Sequence, residues 1–290
     1  MLEFASDDPI AARALEAMYH AAPRVAAAPT ARYTLERAPG GPGNGAATDA
    51  TGRAAGWLAS GSEGPLFGPA RLEEAWAFLE WRATEDLLQE PGETVFLHAA
   101  GAVLGTRLVL IVGDSGAGKS TLVTHLLLRG HRMIGDDVVR FATRDGTFSA
   151  VGRSLKLDDN TLAGMPLLAA LCAHGSTGTI LAAGCYYVSP AAIRRGWEAG
   201  PARARAVLLL DAAQREGPGG VRRSSEGEAA VYVSQKVLSR ATAAGVARQP
   251  DHREDVTMRL LEGLADVSAY RAVGGDPAAI AEALEREVLR

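Results

Sequence analysis

The nine residues GDSGAGKST, 113 to 121, follow the apolar run "LVLIV" and precede a stretch from about Lys119 to Arg129 that reads as a helix. A glycine-rich turn between a strand and a helix lets backbone N–H groups curl around an anion, and the helix adds the positive end of its dipole. Gly113, four residues, then Gly118, Lys119 and Ser120 meet the phosphate-loop spacing. Gly113, Asp114, Ser115, Gly116, Ala117, Gly118, Lys119, Ser120 and Thr121 are therefore the expected nucleotide-binding residues. Lys119 would supply a point charge for the β- and γ-phosphates of ATP, and the Ser120 hydroxyl a ligand for Mg2+. Of thirty Lys and Arg residues only Lys119, Lys156 and Lys236 are lysine, so a chance cation at this place would be arginine.

One helix further on comes "GDDVV", 135 to 139. A phosphate-loop protein needs an acid near the metal and the transferring phosphoryl group. In large ATPases that acid lies far down the chain; here Asp136 and Asp137 occupy what reads as the very next strand, "HRMIGDDVVRFA". Adjacent side chains on an extended segment point to opposite faces, so one carboxylate reaches the reacting oxygen directly. The assignment is Asp137 as the base that takes the acceptor's proton and Asp136 on the metal side. Asp211, ending the run "VLLLD", is a competing metal acid, but no glutamate follows it.

The remaining pattern gives a two-part chain. Residues 1–92 read as a small α+β module: a strand at "LEFAS", a helix capped by Asp8 with Pro9 first and Ile10, Leu15 and Met18 inward, and a strand at "ARYTLERA". A helix from Arg71 to Gln89 follows, with Leu72, Trp76, Leu79, Ala83 and Leu87 on one face. "EPGE" closes the module, and 93–290 forms the catalytic domain, beginning with a hairpin that turns at Gly105–Thr106 and runs into the glycine loop. The segment 46 to 64 is Ala/Gly-rich and gives little signal. Helices are also expected at 160–172, from the Ser225–Glu228 capping box, at 252–264, and from Asp276–Pro277.

The formal charge of −4 with scattered acids and bases argues against a nucleic-acid partner. No apolar run reaches eighteen residues, the start of the chain lacks a basic leader, and the two cysteines, Cys172 and Cys185, are too few for a disulfide framework. A cytoplasmic protein with no membrane span is the expectation.

"LHAAGAVLGTRLVLIVGDSGAGKSTL" together with "RGHRMIGDDVV" resembles the catalytic domain of HPr kinase/phosphorylase, a bacterial enzyme that phosphorylates a serine of a carrier protein. The resemblance implies an α/β fold: a P-loop kinase core of the HPr kinase/PEP carboxykinase type with a mixed sheet, here beside the small α+β N-terminal module. It implies an active-site role for His98, which taken alone reads as a core histidine, and supports Lys119, Ser120 and Asp137 in the roles above. It also implies a homo-oligomer. His131 and Arg132 belong to the same block and read as strand-start packing. The strong match covers about 45 residues, and three features depart from the family. Its magnesium-binding glutamate has no clear counterpart, with Thr161 near its place and Asp158 and Asp159 as substitutes; its phosphate-removal loop is not recognisable; and the N-terminal ninety residues differ. A divergent relative is expected, of the kind that phosphorylates a serine of a peptide precursor such as that of a lasso peptide. Two alternatives stand beside it: a small-molecule kinase acting on, for example, free serine, and a nucleotide-dependent scaffold that transfers nothing.

Overall fold

Between Thr94 and Leu104 only Thr94 and His98 interrupt an apolar run. A strand without a polar face has to be covered on both sides, which places it inside a sheet rather than at its edge. The computed structural model describes residues 2–6, 8, 9, 11, 12, 15, 31–38, 56–88, 94–173, 179–182, 185–211, 213, 217–238 and 250–290, and it divides the chain into two units.

The first unit starts with β1 (Leu2–Ala5), β2 (Ala31–Arg37), β3 (Trp57–Gly61) and β4 (Gly64–Ala70), which form a sheet in that order, β1–β2 parallel and the rest antiparallel. Helix α1 (Leu72–Leu88) follows. The expected helical face is observed: Trp76, Leu79 and Ala83 are buried with Leu35, Ala59 and Leu15. Asp8 accepts the N–H of Ala11 as the expected cap, whereas Ile10, Met18 and the Leu87 side chain lie outside the described residues.

The second unit opens with β5 (Thr94–Leu104), β6 (Arg107–Gly113), α2 (Lys119–Leu128), β7 (Arg132–Gly135), β8 (Val138–Ala142) and β9 (Thr147–Ala150). The chain then returns to the first unit with β10 (Leu155–Leu157), α3 (Asp159–Ala163), α4 (Pro166–Ala173), β11 (Thr179–Ala182) and β12 (Cys185–Val188). It ends in the second with α5 (Pro190–Ile193), β13 (Ala204–Leu210), β14 (Gly220–Arg223), α6 (Glu226–Ser234), β15 (Val237–Leu238), α7 (Pro250–Gly263), β16 (Ser268–Val273) and α8 (Pro277–Leu289).

This corrects the expected division into 1–92 and 93–290. The units separate after Glu90, but Lys156–Ser189 belongs with the N-terminal residues. The cause is packing: the buried Tyr187 ring of β12 meets Trp76 edge-on with centroids 5.4 Å apart and accepts its indole N–H, and Lys156 pairs with Glu80 at 2.8 Å. The single helix expected at 160–172 is two, because Pro166 cannot donate to a continuing helix.

Within the first unit, the Tyr33 hydroxyl donates a hydrogen bond to the Asp86 carboxylate. Burial of the hydroxyl, reinforced by that carboxylate, pushes the phenol from 10.0 up to about 12. A raised folded-state pKa contributes stability that is complete below 10 and is lost as pH rises toward about 12. Unfolding followed from pH 9 to pH 12 is expected to show a steep loss in the wild type and a shallower one in Tyr33→Phe; equal slopes would remove this assignment.

The second unit is a mixed sheet ordered β14-β16-β13-β6-β5-β8-β9, with β7 and β15 also on β5. Strands β6, β13 and β16 are parallel, so their carboxyl ends point the same way. The core lies on the sheet among Leu97, Leu110, Phe141, Phe148, Leu209 and Leu260. Partners change along β5: β8 pairs with it through His98↔Val138, and β6 from Ala99↔Val112 onward. His98 is therefore the last residue of β5 paired with β8, directly before the first one paired with β6.

Candidate active site

The site is built where β6 ends. Gly113 closes the strand, the chain turns through Asp114–Ala117, and Gly118 caps α2 with φ 94°, a conformation closed to most side chains. Lys119, the first residue of α2, turns back over this loop. Its ammonium group donates to the carbonyls of Gly113 at 3.0 Å and Asp114 at 3.1 Å and lies 2.9 Å from His98 Nε2. Only 5% of it is exposed. Burial lowers its pKa, and the charges of Asp137, Asp136 and Asp114 work against that fall.

The acid pair departs from the expectation of a continuous strand. Gly135 has φ 151°, and a Cβ there would meet the Val138 carbonyl at 2.8 Å, so the backbone bends. Asp136 and Asp137 occupy this bend, between β7 and β8. The two carboxylates still part company. Asp136 is buried, 6% exposed, and lines a shallow hollow with Trp197, Gly152 and Arg153. Asp137 is 48% exposed, with Oδ1 at 3.1 Å from His98 Nδ1 and Oδ2 at 3.8 Å from Arg153. Burial raises the Asp137 pKa, but the hydrogen bond from His98, with the charges of Arg153 and Lys119, outweighs it and holds the group below its ordinary value.

These contacts assign the imidazole. A lysine ammonium only donates, so His98 Nε2 is the acceptor and Nδ1–H donates to Asp137. Lys119, His98 and Asp137 thus form one directed chain, cation to neutral ring to carboxylate. It fixes Asp137 Oδ1 and leaves Oδ2 beyond hydrogen-bond distance of Arg153, with lone pairs for an incoming hydroxyl.

His98, Lys119 and Asp137 are brought together as expected from the sequence, and Ser120 lies half-buried on the first turn of α2 beside them. Asp211 follows β13 next to the loop strand, through the pair Leu210↔Gly113, but its carboxylate faces Arg271 at 3.8 Å and accepts the Ala213 N–H at 2.9 Å. Asp158 is used as the N-cap of α3, accepting the Thr161 N–H at 2.8 Å. His131 pairs with Glu285 at 2.8 Å beside Arg129, a tie to α8 rather than simple strand-start packing.

Two residues at the site had no motif. Arg153 was hidden by the abundance of arginine. Lys236, paired with Asp114, had one signal available: it is one of only three lysines.

Residues 96–174 match the family model of the HPr Serine kinase C-terminal domain. The HPr kinase/phosphorylase of Aromatoleum aromaticum is 46% identical over 57 residues, 19% of this chain and 18% of that one. That of Treponema pallidum is 39% identical over 62 residues, 21% and 19% of the two chains, and that of Clostridium botulinum 47% over 49, 17% and 16%. The match thus spans less than a fifth of the length of these curated relatives. Among solved structures, the Hpr(Ser) kinase/phosphatase from Coxiella burnetii aligns with TM-score 0.32 and 14% identity, over 67% of this chain and 96% of that one. Over the segment that carries the glycine loop and the acid pair, the chain is an HPr kinase-like relative. No described helix is long and apolar enough to cross a membrane.

Proposed function

We propose that this protein is an ATP-dependent kinase that transfers the γ-phosphate to a serine hydroxyl of a peptide or small protein, such as a lasso-peptide precursor. One observation carries the reading: Asp137 is oriented by His98 at 3.1 Å, and His98 by the loop lysine at 2.9 Å. A scaffold that only bound nucleotide would have no use for an acid fixed in this way. The glycine loop cradles the phosphates, and Lys119 neutralises charge on the β- and γ-phosphoryl oxygens. In the transfer, the bond from the γ-phosphorus to the bridging oxygen of ATP breaks as the seryl Oγ–P bond forms. The hydroxyl proton passes to Asp137, leaving ADP and a phosphoserine. A carboxylate with a lowered pKa is a weak base, and a loose transition state asks for no stronger one, because the proton leaves late.

Among the described residues no three His, Cys, Asp or Glu side chains cluster to cage a metal. A nucleotide-borne Mg2+ asks for less: one or two protein oxygens, the rest phosphate and water. Ser120 and Asp136 carry oxygens of that kind and would be its protein ligands, and the ion would supply charge neutralisation between the phosphates. The relatives' names make them kinases of HPr, which supports a protein or peptide acceptor here over free serine; the departures in the N-terminal ninety residues and at Asp158–Thr161 support an acceptor other than HPr.

The test is incubation of the full chain with γ-labelled ATP, Mg2+ and either a seryl peptide library, a lasso-precursor peptide or free serine. Label on peptide serine is the expected result. Label on free serine alone would make it a small-molecule kinase, and nucleotide binding without transfer to any acceptor would sink the proposal.

A further inference from the structure

Lys236 reaches the site through contacts drawn from three separate parts of the second unit. Its backbone carbonyl accepts the N–H of His98 at 2.8 Å, and β15, the two residues after it, pairs with β5 at Leu97 and Phe96. Its side chain extends over the Tyr232 ring on α6, with Nζ 4.8 Å from the centroid. The ammonium group ends on the Asp114 carboxylate, on the glycine loop itself. The residue that carries the imidazole and the residue that opens the loop are therefore both held by one lysine.

The two partners of this ion pair are unequally placed. Lys236 is 16% exposed and Asp114 73%. The cation is largely enclosed, with the Tyr232 ring against it, while its anion lies in water and is replaceable. A pair with one open partner contributes little to stability, so the fold gains little from enclosing an ammonium group here. It has also been set close to a second cation: Lys236 holds the Asp114 carboxylate while Lys119 donates to the carbonyl of the same residue at 3.1 Å. Two like charges held together at the mouth of an anion-binding loop are relieved by a multiply charged anion.

We propose that Lys236 is a second phosphate-binding lysine, whose ammonium group exchanges the Asp114 carboxylate for the terminal phosphates of the nucleotide seated on the glycine loop. The inference rests on the nucleotide reading above and adds a residue to it. Asp114 then has a task of its own: it holds the ammonium group at the rim, and its low pKa, set first by the hydrogen bond from Lys236, keeps it an anion at neutral pH. Lysine suits the exchange better than arginine, being a compact charge on a flexible stem that can swing between two acceptors.

Calorimetric titration of the full chain with ATP, inorganic tripolyphosphate and AMP, at low and high salt, tests this. Lys236→Met is expected to weaken ATP and tripolyphosphate binding about tenfold to a hundredfold, the size of a lost charge-assisted hydrogen bond, and to flatten their salt dependence. AMP, which lacks the β- and γ-phosphates, should bind as before, and Lys236→Arg should recover part of the loss. Unchanged ATP binding, or an equal loss for AMP, would overturn the proposal, the second by making Lys236 a support for the loop only. If Lys236→Met melts too low to titrate, Asp114→Asn decides: removing the competing anion should tighten tripolyphosphate binding severalfold, and no change or weakening would count against exchange. A wild type that binds neither ATP nor tripolyphosphate would overturn the nucleotide reading along with this one. A wild type that binds both while Lys236→Met matches it overturns this one alone.

Discussion

Lys119→Met is expected to lower phosphoryl transfer about a thousandfold while the chain still folds. The rate effect follows from what the ammonium group does: it is the buried cation nearest the loop, and one preorganised charge stabiliser in a water-poor site is worth about 10²- to 10³-fold. Here the same group also donates to His98 Nε2 at 2.9 Å, so its removal unties the ring that orients the base. The fold should survive because burial already disfavours this charge, as the lowered pKa reports. Methionine fills the stem's place without that desolvation cost, against which stand the two carbonyls, Gly113 and Asp114, that lose a donor. Lys119→Arg should not restore transfer, since a planar fork cannot occupy the point between two carbonyls and an imidazole nitrogen. Steady-state rates with the chosen acceptor, beside melting temperatures, check both halves. A variant that folds and transfers at the wild-type rate would show that the loop is not the phosphate site.

How much of this was readable follows from the range over which each feature is encoded. The glycine loop is local: strand, turn and helix start lie within fifteen residues, and each residue type has one mechanical job. The caps were local as well, and Ser225 and Asp276 take the N–H groups of Glu228 and Ala278 as the pattern required. The bend at Asp136–Asp137 is not legible in the sequence because apolar pairs, Met133–Ile134 and Val138–Val139, flank it on both sides, and only the positive φ of Gly135 breaks the strand. Strands β3 and β4 lie in Gly- and Ala-rich sequence, where Ala59 is the one fully buried side chain of "WLASG" and no period stands out. The return of Lys156–Ser189 to the first unit depends on Tyr187 finding Trp76, a contact across 111 residues that no window can contain. Lys236 is hidden in the same way, since it reaches the site through a two-residue strand that pairs with β5.

Asp137→Asn should cut the transfer rate by about 10²- to 10⁴-fold, the range for losing a positioned general base, and leave nucleotide affinity nearly unchanged. The substitution is close to isosteric, and the amide oxygen can still accept His98 Nδ1–H, so the geometry of 3.1 Å is kept while basicity is removed. A fall in kcat with KM for ATP held is the signature of an interaction that matters only in the transition state. The wild-type pH profile supplies the second reading. The Asp137 carboxyl is held below its ordinary 3.8, so it stays ionised down through that pH, and this group contributes no acid limb above it. On the alkaline side, Lys119 is lowered from 10.5, so activity should decline before that pH is reached. Removing the Asp137 charge takes away the influence that does most to hold the Lys119 proton on, so the alkaline limb of any residual Asp137→Asn activity should move to still lower pH. A variant whose limb stays in place, with kcat intact, would mean that the carboxylate neither accepts the proton nor communicates with the loop lysine through His98.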